Sequence, residues 1–305
     1  MKKDLVTLRD LTAEDFEVFF ARAMELKVRH QAKIQGQPLV GKTLGLIFDK
    51  ASTRTRVSFE AAMSQLGGVP LFLNARDTQL IRNEPIADTA RVLARYLDGL
   101  VVRTYSQDLL QELAAEASIP VINGLTDVYH PCQVLSDLMT ILERKSNLAE
   151  LKIVWVGDGN NVAHSWINAA AILGLQLVLA CPEDYYPKEE ILGPAQRETK
   201  GSIQVLSDPE AAVRDADVIY TDVWASMGQE TESDHRKKIF RPYQVNQALV
   251  ALARDDVMVM HCLPAHRGEE IAADVLEGEH SVVWDQAENK LHMHKAVLER
   301  YMGDR

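Results

Sequence analysis

Thr43-Leu44-Gly45-Leu46-Ile47-Phe48-Asp49-Lys50-Ala51-Ser52-Thr53-Arg54-Thr55-Arg56 is the stretch on which the fold turns. Residues 43–48 form a continuous apolar run of strand length, with no polar alternation, as a strand buried on both faces requires. Residues 49–52 are a short polar turn. From Thr53 the pattern becomes helical, with Val57, Phe59, Ala61, Ala62 and Met63 available to one apolar face. Hydroxyls, unpaired backbone N–H groups and two guanidiniums thus gather where a helix starts. Orphan N–H groups and the positive end of the helix dipole favour an anion there. The competing reading is a Ser/Thr cap followed by solvated arginines.

The same strand–helix alternation extends outward in both directions. Residues 13–34 read as a helix with Phe16, Phe20, Met24 and Leu26 on roughly one side. Residues 69–73, 100–103 and 120–123 read as strands, and 86–96 and 107–117 as helices. A helix over 131–144 starts at Pro131, well suited to a first turn. The polar run Glu143-Arg144-Lys145-Ser146-Asn147 follows, and the domain boundary is expected there, giving domains 1–145 and 146–305. In the second half, residues 151–157, 177–180, 203–206, 218–222, 257–260 and 281–284 read as strands, 162–173 as a helix, and about 288–301 as the final helix. Such alternation predicts an α/β protein of two domains, each a mainly parallel sheet flanked by helices.

The 305 residues can bury a large core, and 47% hydrophobic with 25% charged residues is ordinary for a globular enzyme. A formal net charge of −11 argues against a general nucleic-acid surface, while a few local arginines can still dominate a cleft. Met1-Lys2-Lys3-Asp4 leads into mixed polar sequence without an apolar signal region, and no stretch has the length of a membrane span, so no membrane partner is expected. Cys132, Cys181 and Cys262 follow no metal-like spacing, and a reducing cytoplasm fits them.

Further polar clusters follow the apolar strands. Arg103 closes one strand on the side where residues 49–55 should emerge; a solvated rim residue is the alternative. His130 precedes a helix and Gln133 lies in its first turn. The helix field disfavours an imidazolium there, so His130 suits a neutral donor to a carbonyl, and Gln133 suits an amide-like NH2 group. A helix cap with a capping-box Gln is the competing reading. Gly157-Asp158-Gly159-Asn160-Asn161 lacks the spacing of a dinucleotide fingerprint, and its asparagines could hold a polar substrate. Asp222, at a strand end, suits an ammonium group. His261 and Cys262 suggest a nucleophilic pair, yet neighbours on an extended segment point apart and no carboxylate is placed to orient His261. His261, Cys262 and His266 match no common zinc spacing. His292 and His294, two apart on a helix, do not face one ligand.

Together these segments resemble the aspartate/ornithine carbamoyltransferase family, in its ornithine-using branch, from about Leu8 to Tyr301. Ser52-Thr53-Arg54-Thr55, Arg103 and His130-Pro131-Cys132-Gln133 match the family's carbamoyl-phosphate motifs. Asn161, Asp222, Ser226-Met227-Gly228 and His261-Cys262-Leu263-Pro264 match its ornithine half, the Ser-Met-Gly segment separating it from aspartate, acetylornithine and putrescine relatives. The resemblance implies two domains bridged by the helix from Pro131 and by the C-terminal helix, which returns to pack on the first domain. It implies a homotrimer, open to higher assembly, in which a loop residue matching Gln79 reaches a neighbour's phosphate.

The implied reaction transfers the carbamoyl group of carbamoyl phosphate to the side-chain amine of L-ornithine, without metal or organic cofactor. Arg54, Arg103 and His130 would face the carbonyl oxygen and phosphate, where negative charge develops. Ser52, Thr53 and Thr55 would anchor phosphate, and Gln133 the carbamoyl NH2. Asn161, Asp222, Ser226 and Met227 would position ornithine, with Cys262 and Leu263 lining the amine's approach. Closure of the domains would exclude water. Two positions depart from the family pattern. Ile81 and Asn83 replace frequent glycines in the Gln79 loop, and Lys290 replaces the usual carbamoyl-phosphate arginine, keeping the charge without the bidentate fork. A solvated lysine in the first turn of the last helix is the other reading of Lys290. Another amine acceptor, a ligand-binding relative without turnover, and a nicotinamide dehydrogenase are the alternative functions.

Overall fold

The computed structural model describes residues 3–34, 36–74, 84–225 and 233–303. The chain divides into two compact units, Met1–Met139 with Glu288–Arg305, and Thr140–Ala287. Among the described residues no helix is long and apolar enough to cross a membrane.

The first unit runs α1 (Ala13–Gln31), β1 (Thr43–Phe48), α2 (Thr53–Gln65), β2 (Val69–Asn74), α3 (Ile86–Leu93), β3 (Gly99–Arg103), α4 (Gln107–Glu116) and β4 (Val121–Leu125), and then into α5 (Pro131–Lys145). Its sheet has the order β2-β1-β3-β4 with every pairing parallel. Five of the six β1 residues are buried, as the unbroken apolar run requires of a central strand. One face packs Ile47, Leu100, Val102 and Val121 against Leu97 and the α3 and α4 side chains Ala90, Leu110 and Leu113. Around α12 (Val283–Met302), Phe19 of α1 stacks on Tyr301 and Phe59 of α2 on His294. Met302 packs over Gly99, where a Cβ would lie 2.8 Å from its sulfur. α1 starts in a Thr12–Asp15 capping box but stops at Gln31, and Lys33 turns to φ 58°. Its buried face is Phe16, Phe19, Phe20, Ala23 and Leu26; Met24 is only half-buried.

The second unit contains β5 (Lys152–Val156), α6 (Asn161–Leu173), β6 (Gln176–Ala180), α7 (Glu189–Glu198), β7 (Ser202–Leu206), α8 (Pro209–Val213), β8 (Val218–Thr221), α9 (Ser233–Phe240), α10 (Gln247–Val250), β9 (Met258–His261) and α11 (Ala273–Leu276). Its parallel sheet has the order β7-β6-β5-β8-β9. Trp155 of β5 stacks on Tyr220 of β8, and Trp166 of α6 meets the same ring edge-on. Gly174 ends α6 in the left-handed region at φ 68°, a stop that glycine makes without steric cost.

Residues 281–284, expected as a strand, form a single bridge from Ser281 to Val259 and then enter α12 at Val283. Local β propensity in Ser-Val-Val-Trp misled the reading; the last helix begins before Glu288, so Lys290 stands about two turns inside it.

Candidate active site

In each unit the strand order reverses once, and polar residues collect beyond the carboxyl ends of the strands at that point, where open α/β sheets bind ligands. In the first unit the reversal lies between β1 and β3, which pair Phe48 with Arg103. The Asp49 N–H donates to the Arg103 carbonyl at 2.9 Å and ties the two strand ends together. Ser52 is the N-cap of α2, extended at φ −162°, and its Oγ accepts from the Thr55 N–H at 3.2 Å. A single cap bond answers one of the four donors that a helix start exposes, leaving the character of an anion cradle. Thr53 is exposed and Arg54 half-buried.

Arg56 does not join them. Its Nε donates to Glu60 at 2.9 Å and its guanidinium lies 3.4 Å from the Phe72 ring centre, so the expected convergence of two guanidiniums on the turn reduces to Arg54. Arg103 is buried, not a rim residue, and donates from Nε to the Lys50 carbonyl at 3.2 Å. Lys50, which the sequence reading passed over, is itself buried, pairs with Asp127 at 2.8 Å and lies over the Tyr105 ring.

His130 and Gln133, at the start of α5, are buried. Burial holds the His130 imidazole well below the usual histidine range, with the positive charges of Lys290 and Arg103 acting in the same direction. His130 is therefore a neutral ring at physiological pH. Gln133 Nε2 donates to Asp137 at 2.8 Å, and its Oε1 accepts from Lys290 Nζ at 2.9 Å. The Lys290 ammonium also donates to Thr55 Oγ1 at 3.2 Å. This chain of contacts replaces the capping-box reading of Gln133 and the solvated reading of Lys290, which is only 4% exposed. Nearby, His294 Nδ1 meets Ser58 Oγ at 2.9 Å, whereas His292 tilts toward His30 with ring centres 5.4 Å apart; the two histidines face different partners.

In the second unit the reversal lies at β5, flanked by β6 and β8. Asn160 caps α6 through Oδ1, which accepts from the N–H groups of Val162 and Ala163, and donates from Nδ2 to Asp222 Oδ2 at 2.8 Å. Asp222 Oδ1 also accepts the Cys262 thiol at 3.0 Å and the Val223 N–H at 2.8 Å. Asn161 is the first residue of α6 and half-buried. Asp158 pairs with Arg236; burial nevertheless lifts its carboxyl to about 6, with Asp222 adding to the rise and Arg236 opposing it. Arg236 was not singled out from sequence; Asn160, expected as a substrate contact, is the cap of α6 and the partner of Asp222.

A carboxylate does meet His261, contrary to the sequence reading: Glu270 lies 3.1 Å from Nε2. The ring's Nδ1 accepts from the Leu263 N–H at 2.8 Å, so both nitrogens are engaged. With the thiol turned to Asp222, His261 and Cys262 do not form a nucleophilic pair. Asp222, His261 and Cys262 each bring a ligand atom within 4.8 Å of the others, but these same contacts occupy them without an ion. Leu263 has φ 58° and precedes a cis peptide to Pro264. Gln79, Ile81, Asn83, Ser226 and Met227 lie outside the described residues.

The family model described as "Aspartate/ornithine carbamoyltransferase, carbamoyl-P binding domain" matches residues 3–143, and that described as "Aspartate/ornithine carbamoyltransferase, Asp/Orn binding domain" matches residues 149–301. The chain belongs to the aspartate/ornithine carbamoyltransferase family. Among relatives of this carbamoyltransferase family, a protein of Syntrophus aciditrophicus named "Ornithine carbamoyltransferase" is 59% identical over 299 residues, covering 98% of this chain and 99% of that one. The solved ornithine carbamoyltransferase of Pyrococcus furiosus is 54% identical with a TM-score of 0.95, covering 98% of this chain and 96% of that one. That of Gloeobacter violaceus is 46% identical with a TM-score of 0.89, covering 99% of each chain.

Proposed function

We propose that this carbamoyltransferase moves the carbamoyl group of carbamoyl phosphate to the side-chain amine of L-ornithine, giving L-citrulline and phosphate. The observation that carries the reading is the buried chain Thr55–Lys290–Gln133–Asp137 beside a neutral His130. It gathers a fixed amide from the start of α5, a cation from within α12 and a neutral imidazole, and reaches Thr55 at the start of α2. Those are the groups that a carbamoyl phosphate, with its NH2, its carbonyl oxygen and its phosphate, can use.

In this reading Ser52, Thr53, Arg54 and Thr55 hold the phosphate, and Gln133 receives the carbamoyl NH2 through Oε1. Arg54, Arg103 and His130 stabilise the charge that grows on the carbonyl oxygen and the leaving phosphate. The imidazole serves as a hydrogen-bond donor, a role its depressed proton affinity permits across the neutral range. In the second unit Asp222, oriented by Asn160, takes an ammonium group of ornithine, and Asn161, Ser226 and Met227 position the amino acid. Cys262 and Leu263 line the approach of the reacting amine. The amine attacks only after losing its proton, since primary ammonium groups are almost fully protonated near neutrality. The C–N bond then forms as the carbamoyl C–O bond breaks, and phosphate departs with the electron pair and takes up the proton that the new C–N nitrogen releases. Neither metal nor organic cofactor is needed for these steps. The proposal includes a cytoplasmic homotrimer in which Gln79 of a neighbour completes the phosphate contacts.

Carbamoyl transfer from carbamoyl phosphate to a panel of L-ornithine, N-acetylornithine and putrescine, each product identified by mass, tests this function. Ornithine should be preferred by at least a hundredfold in kcat/KM. Preference for another amine, or failure to form any carbamoylated product, would overturn it.

A further inference from the structure

The first unit contains a cavity of about 240 Å³, room for roughly eight waters. It is lined by the end of α1, the segment after it, the end of α2 and the outer part of α12. The Ser52–Thr55 turn lies at the opposite end of α2, about 18 Å away along a 13-residue helix. Among the described residues, four cations stand on the wall, Arg22, Arg29, Lys33 and Lys295, against one carboxylate, Glu299. Glu299 binds Arg22 at 2.6 and 2.7 Å, and Glu25 bridges Arg22 and Arg29, so a surplus of two positive charges is left at Lys33 and Lys295.

Lys295 is the informative residue. It is 95% removed from solvent, at 5% exposure, yet its ammonium has no hydrogen-bond or ion-pair partner among the described residues. Gln65, on the same wall, keeps Oε1 buried and equally unpartnered. The stem of Lys295 is buried while its ammonium, without a counter-charge, opens on the cavity, where a ligand has direct access to it. Burial correspondingly lowers its proton affinity. Apolar Leu26, Leu66 and Pro38 complete the wall and strengthen any charge interaction formed inside.

We propose that this cavity is a second anion site, distinct from the Ser52–Thr55 turn, that takes a small phosphate dianion with Lys295 as its central contact. Arg29 and Lys33 guard the mouth. The shared chemistry is a dianionic phosphate group, whether as free phosphate or as a small phosphomonoester, whose charge near neutrality matches the surplus on the wall.

Equilibrium dialysis with radiolabelled inorganic phosphate at constant ionic strength tests the site on the full chain. Two phosphates should bind per chain, and Lys295→Met should abolish one of them while leaving citrulline formation within about twofold. Arg54→Ala should abolish the other, and the double variant both. Because Lys295 is buried, Arg29→Ala with Lys33→Ala at the rim provides a second probe that spares the core; it should weaken the same class of site at least tenfold. Parallel titration with ribose 5-phosphate separates the sources, tighter binding of the ester identifying a phosphomonoester site and tighter binding of phosphate a free-anion site. One phosphate per chain in the parent protein, or two retained in both the Lys295→Met and the rim variants, would overturn the proposal.

Discussion

Lys290→Met removes one ammonium from the buried chain while filling most of its volume. The Lys290 Nζ contacts are Gln133 Oε1 at 2.9 Å and Thr55 Oγ1 at 3.2 Å. Hydrogen bonds to charged groups contribute about 1.5–3 kcal/mol. If that free energy is spent on presenting the Gln133 amide and holding carbamoyl phosphate, its loss corresponds to about 10- to 150-fold in kcat/KM for carbamoyl phosphate. Stability should change far less. Stranding Gln133 Oε1 costs about 1–3 kcal/mol, but taking an ammonium out of a buried position offsets most of it. A net shift within about 1 kcal/mol moves the melting temperature by roughly 2–4 °C. The His130 proton affinity should also rise, because one of the positive fields suppressing it disappears while burial, the larger cause, remains. Lys290→Arg keeps the charge and restores a forked donor, so its carbamoyl-phosphate constant should equal or improve on the parent. Steady-state citrulline formation at saturating ornithine, with melts alongside, measures all of this. A kcat/KM within threefold of the parent at an unchanged melting temperature would refute the assigned role. Equal loss for ornithine and carbamoyl phosphate would refute it as well.

Arg54→Ala should lower turnover by roughly 10²–10³-fold, the scale for one transition-state donor; under tenfold, with the fold intact by circular dichroism, removes Arg54 from the chemistry. Asp222→Asn should weaken ornithine far more than carbamoyl phosphate in separate titrations, equal weakening marking an architectural role. In the native protein only Cys262 should react with an aromatic disulfide at pH 8, since Cys132 and Cys181 are buried and burial pushes the Cys132 thiol up to about 12; two or more reactive thiols would contradict this packing. Buried neutral His130 and His294 protonate more readily unfolded than folded, so the stability present above pH 6.5 should be lost as pH falls below it, by at most about 1.4 kcal/mol per pH unit for each. His130→Asn should flatten melts between pH 7 and 5, and an unchanged slope would count against the buried neutral ring. Mixed inactive Gln79→Ala and Arg54→Ala proteins should regain activity after subunit exchange, and no recovery despite exchange seen by mass spectrometry would remove Gln79 from a neighbour's site.

The sequence by itself determined the strand–helix alternation of the first unit and most strands of the second, because the period of apolar residues is a local property, while the helices between Leu173 and Val283 went unread. Residues 43–48 read as a doubly buried strand, and Ser52 to Thr55 as the opening of a helix. It also marked the strand-end clusters, since a turn's polar residues stand beside the strand that presents them. Tertiary structure decided whatever depended on distant partners. The Asn160–Asp222 and Asp222–Cys262 contacts join residues 62 and 40 positions apart. No periodicity reports strand order, and it is the adjacency of β5 and β8 that brings Asn160 to Asp222. Lys290 shows the same limit. Its surroundings come from Gln133 and Thr55, 157 and 235 positions away, so its burial could not be read from its neighbours in the chain. Ser281 to Trp284 failed for the opposite reason: local preference pointed to a strand, while α12 takes up Val283 and leaves Trp284 58% exposed. Intrinsic propensity is worth tenths of a kcal/mol per residue, and packing of a long helix outweighs it.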